Sequence, residues 1–170
     1  MTVAVVAAAL ATGPATSALA ADVVGKFNEW TLYSNADKIK ICFLAAAPSA
    51  TEPAGLTREP ALFYISAWPN DGVKSELSVK LGFTVKKGGE PAVAVSGPNQ
   101  PGGSATFKMF VKDDRAYVAD ATSELKLLDA LKKGGKLTVQ AISERGTAVT
   151  DTYGLVGITA ALQALGAGCK

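Results

Sequence analysis

Cys42 and Cys169 are the only cysteines of the chain, which contains no histidine. Without imidazole the commonest general base and the usual metal ligand are both missing, so Ser-His-Asp and Cys-His mechanisms have no base to use. Two thiols with neither histidine nor a Cys-x-x-Cys pair also fall short of a zinc ligand set, and no metal or cofactor is implied. In an oxidising compartment such a pair is expected to close a disulfide. A metal site or a redox-active thiol are the rival readings. Ser123-Glu-Leu-Lys126 has the Ser-x-x-Lys spacing that places a serine nucleophile and a lysine base on adjacent turns of one helix. A serine hydrolase is therefore one alternative function, although the companion Ser-Asp-Asn and Lys-Thr-Gly elements are absent and Ser123 has a simpler task as a helix cap. Asp113-Asp114 is the only adjacent carboxylate pair and reads as a turn. The glycine pairs at 88–89, 102–103 and 134–135 lack the order of a phosphate cradle. Trp30, Tyr64 and Trp68 form a candidate binding surface, since flat amphipathic rings suit sugar or peptide recognition. A periplasmic small-ligand carrier built on them is a second alternative, against ordinary core packing with the polar ring edge at a rim.

These groups sit in a chain of 170 residues with 48% apolar and 19% charged residues, enough for one domain with a hydrophobic core and unlike a disordered or polytopic membrane protein. The net charge is +2, with lysines scattered singly or in pairs, so nucleic acid is not an expected partner. Residues 1–21 carry no charge, and every Lys, Arg, Asp and Glu lies from Asp22 onward. The run Val3 to Ala11 has the length of a signal-peptide core, Gly13-Pro14 breaks it, and Ala18-Leu19-Ala20 supplies small residues for cleavage. Residues 1–20 are read as a signal peptide, although no Lys or Arg precedes the apolar run, and residues 21–170 as one domain. The apolar run is too short to span a bilayer, and no transmembrane span is expected in the mature chain.

Along the mature chain, Lys26 to Ser34 reads as a first strand and Lys38 to Leu44 as its return, with Ala46 to Pro60 an exposed loop. Ala61 to Trp68 is a strand covered on both faces, and Asp71-Gly72 signals a hairpin. Leu77, Val79, Leu81, Phe83 and Val85 then alternate with Ser78, Lys80, Gly82, Thr84 and Lys86, the pattern of a strand with one wet face. Shorter strands follow at Pro91 to Ser96, Thr106 to Lys112 and Arg115 to Ala119. Thr122 to Lys133 is a helix presenting Leu125, Leu127, Leu128 and Leu131 on one face, with Thr122 or Ser123 as its cap. Strands at Lys136 to Ser143 and Thr147 to Tyr153 precede a second helix, carrying Ile158, Ala161, Leu162 and Leu165 and ending at Gly166. The expected fold is mainly β, an antiparallel β-sandwich with two short helices late in the chain.

Several blocks in order resemble the invasion-associated locus B (IalB) family. These are Phe27-x-x-Trp30, Cys42-Phe43, Arg58-Glu59-Pro60 leading to Trp68-Pro69, Glu76 to Val79 before Gly82-Phe83, and Tyr117 to Asp120. Arg145-Gly146-Thr147, Thr150 to Tyr153, Gly157, Ala160 to Leu162 and Cys169 complete the set. Gly154 and Ile158 depart from the pattern, where a serine and an aromatic ring are expected. The resemblance implies an exported bacterial envelope protein with a β-sandwich-like body and no known catalytic activity, related to factors that help some bacteria enter host cells. Its implied partner is an unidentified protein or envelope component, and its implied location is periplasmic or associated with the outer membrane or cell surface.

Overall fold

The computed structural model describes residues 21–35, 41–99 and 103–169. The expected signal peptide, residues 1–20, lies outside the described residues. Within them, eleven antiparallel strands form one continuous sheet. In chain order they are β1 (Asp22–Phe27), β2 (Trp30–Asn35), β3 (Ile41–Ala46), β4 (Ala50–Glu52), β5 (Leu62–Trp68), β6 (Val73–Lys80), β7 (Ala92–Ser96), β8 (Ser104–Lys112), β9 (Arg115–Val118), β10 (Lys136–Ile142) and β11 (Ala148–Gly154). Helix α1 (Ala121–Lys133) enters between β9 and β10, and α2 (Ile158–Gly168) follows β11.

The spatial order is β1-β2-β3-β5-β6-β9-β8-β7-β10-β11-β4. Strand β8 is where the sheet turns over on itself. Its residues Ser104 to Lys108 pair with β7, and Met109 to Lys112 pair with β9, so one long strand serves both layers. The layers meet face to face where Phe63 of β5 packs edge-on against Tyr153 of β11, 5.9 Å between ring centroids. Trp30 Nε1 donates to Gly154 O at 3.1 Å and ties β2 to the end of β11. One core cluster runs from Trp30, Leu44, Phe63 and Leu77 in the first layer to Val93, Leu137 and Tyr153 in the second, and both helices contribute to it. This is the antiparallel sandwich with two helices that the strand spacing predicts.

Several local expectations are corrected. Residues 26–34 do not form one strand, because Asn28 takes the left-handed conformation (φ 57°) and the chain doubles back into the β1-β2 hairpin closed by the Phe27 and Trp30 pair. Asparagine tolerates that conformation through local hydrogen bonding of its short side chain. The segment 46–60 is not a free loop, since β4 pairs with β11 and Ser49 donates to Thr152 O through both its amide (2.7 Å) and its hydroxyl (3.1 Å). Strand β6 begins directly after Gly72 and stops at Lys80, short of the predicted end. Ser78, expected on a wet face, is buried, because Tyr64 and Tyr117 stand beside it in register.

Helix α1 is capped by Asp120, whose carboxylate accepts from the Ser123 amide at 2.9 Å and from its hydroxyl at 2.8 Å. Neither Thr122 nor Ser123 is the cap, since both already lie inside the first turn. These two bonds hold the Asp120 carboxyl below its usual pKa. The buried residues of α1 are Leu127, Ala130 and Leu131, while Leu125 is 67% exposed. An i, i+3 series drifts by about 60° per step around a helix of 3.6 residues per turn, which leaves Leu125 about 120° from Leu131. Helix α2 continues through Gly166 to Gly168 and is capped by Cys169, whose amide bonds Leu165 O at 3.1 Å. At its start Gly157 adopts φ 88°, and a Cβ there would lie 2.6 Å from Phe27 O. A glycine is needed on both counts.

Tyr153 Oη is buried without a hydrogen-bond partner among the described residues, and burial, followed by the Asp151 charge, raises its pKa. The ring supplies the packing and the hydroxyl adds a desolvation cost. Tyr153→Phe is therefore expected to leave the fold intact and raise unfolding stability by about 1 kcal/mol, read from urea midpoints. A loss of that size would show that the hydroxyl is bonded.

Candidate functional site

A cleft of about 350 Å3 is bounded by residues 56–58, 82–84 and 143–147, with Val149 beside them. Its base is an ion pair. The Arg58 guanidinium is held by the Asp151 carboxylate through both terminal nitrogens, with Nη1 to Oδ2 at 2.9 Å and Nη2 to Oδ1. Nη1 also donates to Leu81 O at 2.7 Å, Nη2 donates to Thr51 Oγ1 at 3.1 Å, and the Thr51 hydroxyl donates to Asp151 Oδ1 at 2.7 Å. The Arg58 and Asp151 side chains are only 10% and 1% exposed. Charges withdrawn this far from water are tolerated because each is paired and further hydrogen-bonded.

The other walls are fixed through the backbone. Leu81 O is taken by Arg58, and Gly82 O by the Glu59 amide at 3.2 Å, so neither carbonyl can continue the β6 ladder. Gly82 turns with φ 74°, and a Cβ there would sit 2.1 Å from Glu59 O. This is why a faultless alternation of residues ceases to be a strand. Phe83 then lies under the Arg58 guanidinium, 5.7 Å from Cζ to the ring centroid. The third wall is a tight turn in which Ser143 N donates to Thr147 O (2.9 Å) and Gly146 N to Ser143 O (2.8 Å). Glu144 N to Thr84 O (2.8 Å) and Lys86 N to Ile142 O (2.9 Å) lock that turn onto the 82–86 segment.

The residues singled out from sequence are distributed differently. Cys42 on β3 and Cys169 after α2 are bonded to each other, with Cα atoms 5.7 Å apart. The bond fastens the end of α2 to the inner face of the first layer. Trp30 is fully buried on that inner face, in edge contact with Phe63 (6.0 Å). Tyr64 and Trp68 lie at alternate positions of β5, on the opposite face from Phe63 and Ile65. The three rings therefore form no common platform, because the two-residue period of the strand separates them. Tyr64 instead joins an outer row missed in the sequence: Tyr33 stacks on Phe43 (5.0 Å), Phe43 tilts against Tyr64 (6.0 Å), and Arg115 lies 4.6 Å over the Tyr64 ring. Phe110, 47% exposed, stacks on Tyr117 (5.6 Å) on the same face.

Ser123 donates its hydroxyl to Asp120, whereas Lys126 lines a shallow groove between α1 and β8 to which Ser123 does not contribute. Ser123 thus supports the Asp120 cap as a hydrogen-bond donor from within the first turn. Among the described residues no group of three or more Cys, Asp and Glu side chains could hold a metal ion, and no helix is long and apolar enough to cross a membrane.

Breaking the buried pair singly leaves one charge stranded. Arg58→Met or Asp151→Leu alone should each destabilise the fold by about 3–5 kcal/mol, while the double variant should cost clearly less than the sum. Chemical denaturation of the four proteins checks this, and additive losses would contradict the pairing.

The blocks that approach one another here, Arg58, Gly82-Phe83, Arg145 to Thr147 and Asp151, come from the ordered set by which the sequence resembles a known family. The family described as "Invasion associated locus B (IalB) protein" matches residues 31–166. Among solved structures, invasion associated protein b from Bartonella henselae superposes with a TM-score of 0.58 at 15% identity, covering 84% of this chain and 95% of that one. That likeness is one of fold. No curated protein sequence matches the chain. In this chain Ile158 is buried in the core, and a Cβ at Gly154 would fall 1.9 Å from Glu29 Oε2, so Glu29 occupies the space that a side chain at 154 would take. With its match extending over most of the sequence, the chain belongs to the IalB family.

Proposed function

We propose that the protein is exported, loses residues 1–20, and acts in the cell envelope by contact rather than catalysis. The mature 21–170 domain would present the outer aromatic face of its first layer to another protein. The observation that carries this reading is the row Tyr33, Phe43, Tyr64 with Arg115 stacked on it. Both helices and the second layer pack on the opposite side, so the row faces outward. Aromatic rings and arginine are the side chains that contribute most when a contact surface is desolvated. The bordering register row places Lys80 and Arg115 in line with Lys112. Lys80 is paired with Glu59 (2.8 Å) and Arg115 loosely with Asp114 (4.0 Å), so Lys112 and the Arg115 guanidinium face are what this border offers to an acidic group of a partner. The bond between Cys42 and Cys169 suits an oxidising compartment. Family membership supports the envelope setting, and a part in host-cell entry is the reading its description suggests.

Two measurements test the proposal. Protein recovered from envelope fractions should begin at or near residue 21 and carry residues 42 and 169 as one disulfide-linked peptide. Intact chain with free thiols in the cytosol would refute export. In intact cells, a photo-reactive residue replacing Tyr64 should give discrete protein adducts that Arg115→Glu abolishes, while the same group at Leu125 gives none. Equal adducts from both positions would refute the aromatic face. Separately, Cys42→Ser with Cys169→Ser should lower stability by about 4–5 kcal/mol, the loop-closure contribution for a long loop, without altering the β spectrum.

A further inference from the structure

We infer that the cleft between residues 56–58, 82–84 and 143–147 is a binding site for a small zwitterion of the α-amino-acid type carrying an apolar side chain. It shares no residue with the aromatic face and goes beyond the contact role proposed above.

The argument begins with charge. Arg58 and Asp151 cancel one another beneath the cleft. The remaining ionic groups lining it are Glu144 and Arg145, adjacent in a tight turn. Neither has an ion-pair partner among the described residues. A guanidinium and a carboxylate on adjacent residues of the turn, neither in an ion pair among the described residues, match a ligand with both charges. A simple anion would satisfy Arg145 and face the like charge of Glu144, and a simple cation would meet the reverse.

The rest of the lining agrees. Phe83, half-buried, with Leu56 and Val149, offers an apolar patch, and the hydroxyls of Thr57, Thr84 and Thr147 add hydrogen-bonding groups at its margin. A few polar groups around an apolar patch is the usual composition of a small-molecule site, and about 350 Å3 lies at the small end of such sites. It fits an amino acid or a dipeptide better than a polymer. The walls are joined through Glu59 N to Gly82 O, Glu144 N to Thr84 O and Lys86 N to Ile142 O. The cleft therefore exists before a ligand arrives, and little ordering is required on binding. Because Glu144 and Arg145 are solvent-exposed, each ionic contact is weak. For about a dozen ligand atoms the dissociation constant should be about 1 mM.

The test is an amide-resolved NMR titration of the oxidised protein with phenylalanine, N-acetylphenylalanine and phenylalaninamide. Phenylalanine should shift amides of residues 56–58, 82–84 and 143–147 and saturate near 1 mM, whereas loss of either ligand charge should weaken binding about three- to fivefold. Arg145→Gln should bind phenylalanine and its amide equally, and Glu144→Gln should bind phenylalanine and its N-acetyl derivative equally. Both replaced side chains are exposed, so the variants should keep the native spectrum. No shifts at tens of times the expected dissociation constant would overturn the inference. So would equal affinity of the unmodified protein for all three compounds, or shifts centred on Tyr64 and Tyr117.

Discussion

The ion pair of Arg58 and Asp151 holds together parts of the fold that hydrophobic burial alone would leave loose. One guanidinium reaches the second layer through Asp151, the end of β6 through Leu81 O, the short edge strand β4 through Thr51, and Phe83 through its ring face. Each of these contacts needs the others. The carboxylate, 1% exposed, would be left without a counter-charge if its guanidinium were removed, and the guanidinium satisfies a carbonyl that would otherwise require a strand partner. The cleft is a by-product of this arrangement, because β6 must end where its carbonyls are taken.

The disulfide acts on a different weakness. Helix α2 is short and lacks an acidic residue in its first turn or a basic one in its last, so capping and dipole terms do little to hold it. Its apolar side packs through Ile158, Ala161 and Leu165, and the bond to Cys42 anchors its end to β3. With that end fixed, the inner side of the first layer is filled and its outer side remains open. The aromatic row is thus exposed because the covering elements are all committed to the other face.

Much of the architecture was legible because β-periodicity and turn chemistry are local. Asp71-Gly72, Asp113-Asp114 and Gly146 each mark a reversal that the structure contains, and β7 to β11 lie within a residue or two of their expected limits. The failures share a cause. Leu81 to Lys86 alternates as well as Leu77 to Lys80, yet only the latter is strand, since a residue elsewhere in the chain competes for its carbonyls. By sequence, Arg58 falls in an expected loop and Asp151 in an expected strand. Nothing in sequence spacing shows that two charges 93 positions apart are buried together. The outer row of Tyr33, Phe43, Tyr64 and Arg115 was invisible for a related reason, because register between strands decides which rings become neighbours.

By itself, then, the sequence determined what depends on nearest neighbours and composition: a mainly β chain with two late helices, a pair of cysteines, no imidazole, and blocks in the order of one family. Tertiary structure decided what depends on distant residues meeting. It selected which face of β5 is buried, moved Trp30 away from Tyr64, stopped β6 at Lys80, and assembled a cleft from three separate segments. The division is physical, because backbone propensity and amphipathic period act over a few residues, whereas the desolvation of a charge is settled only when its partner arrives from far along the chain.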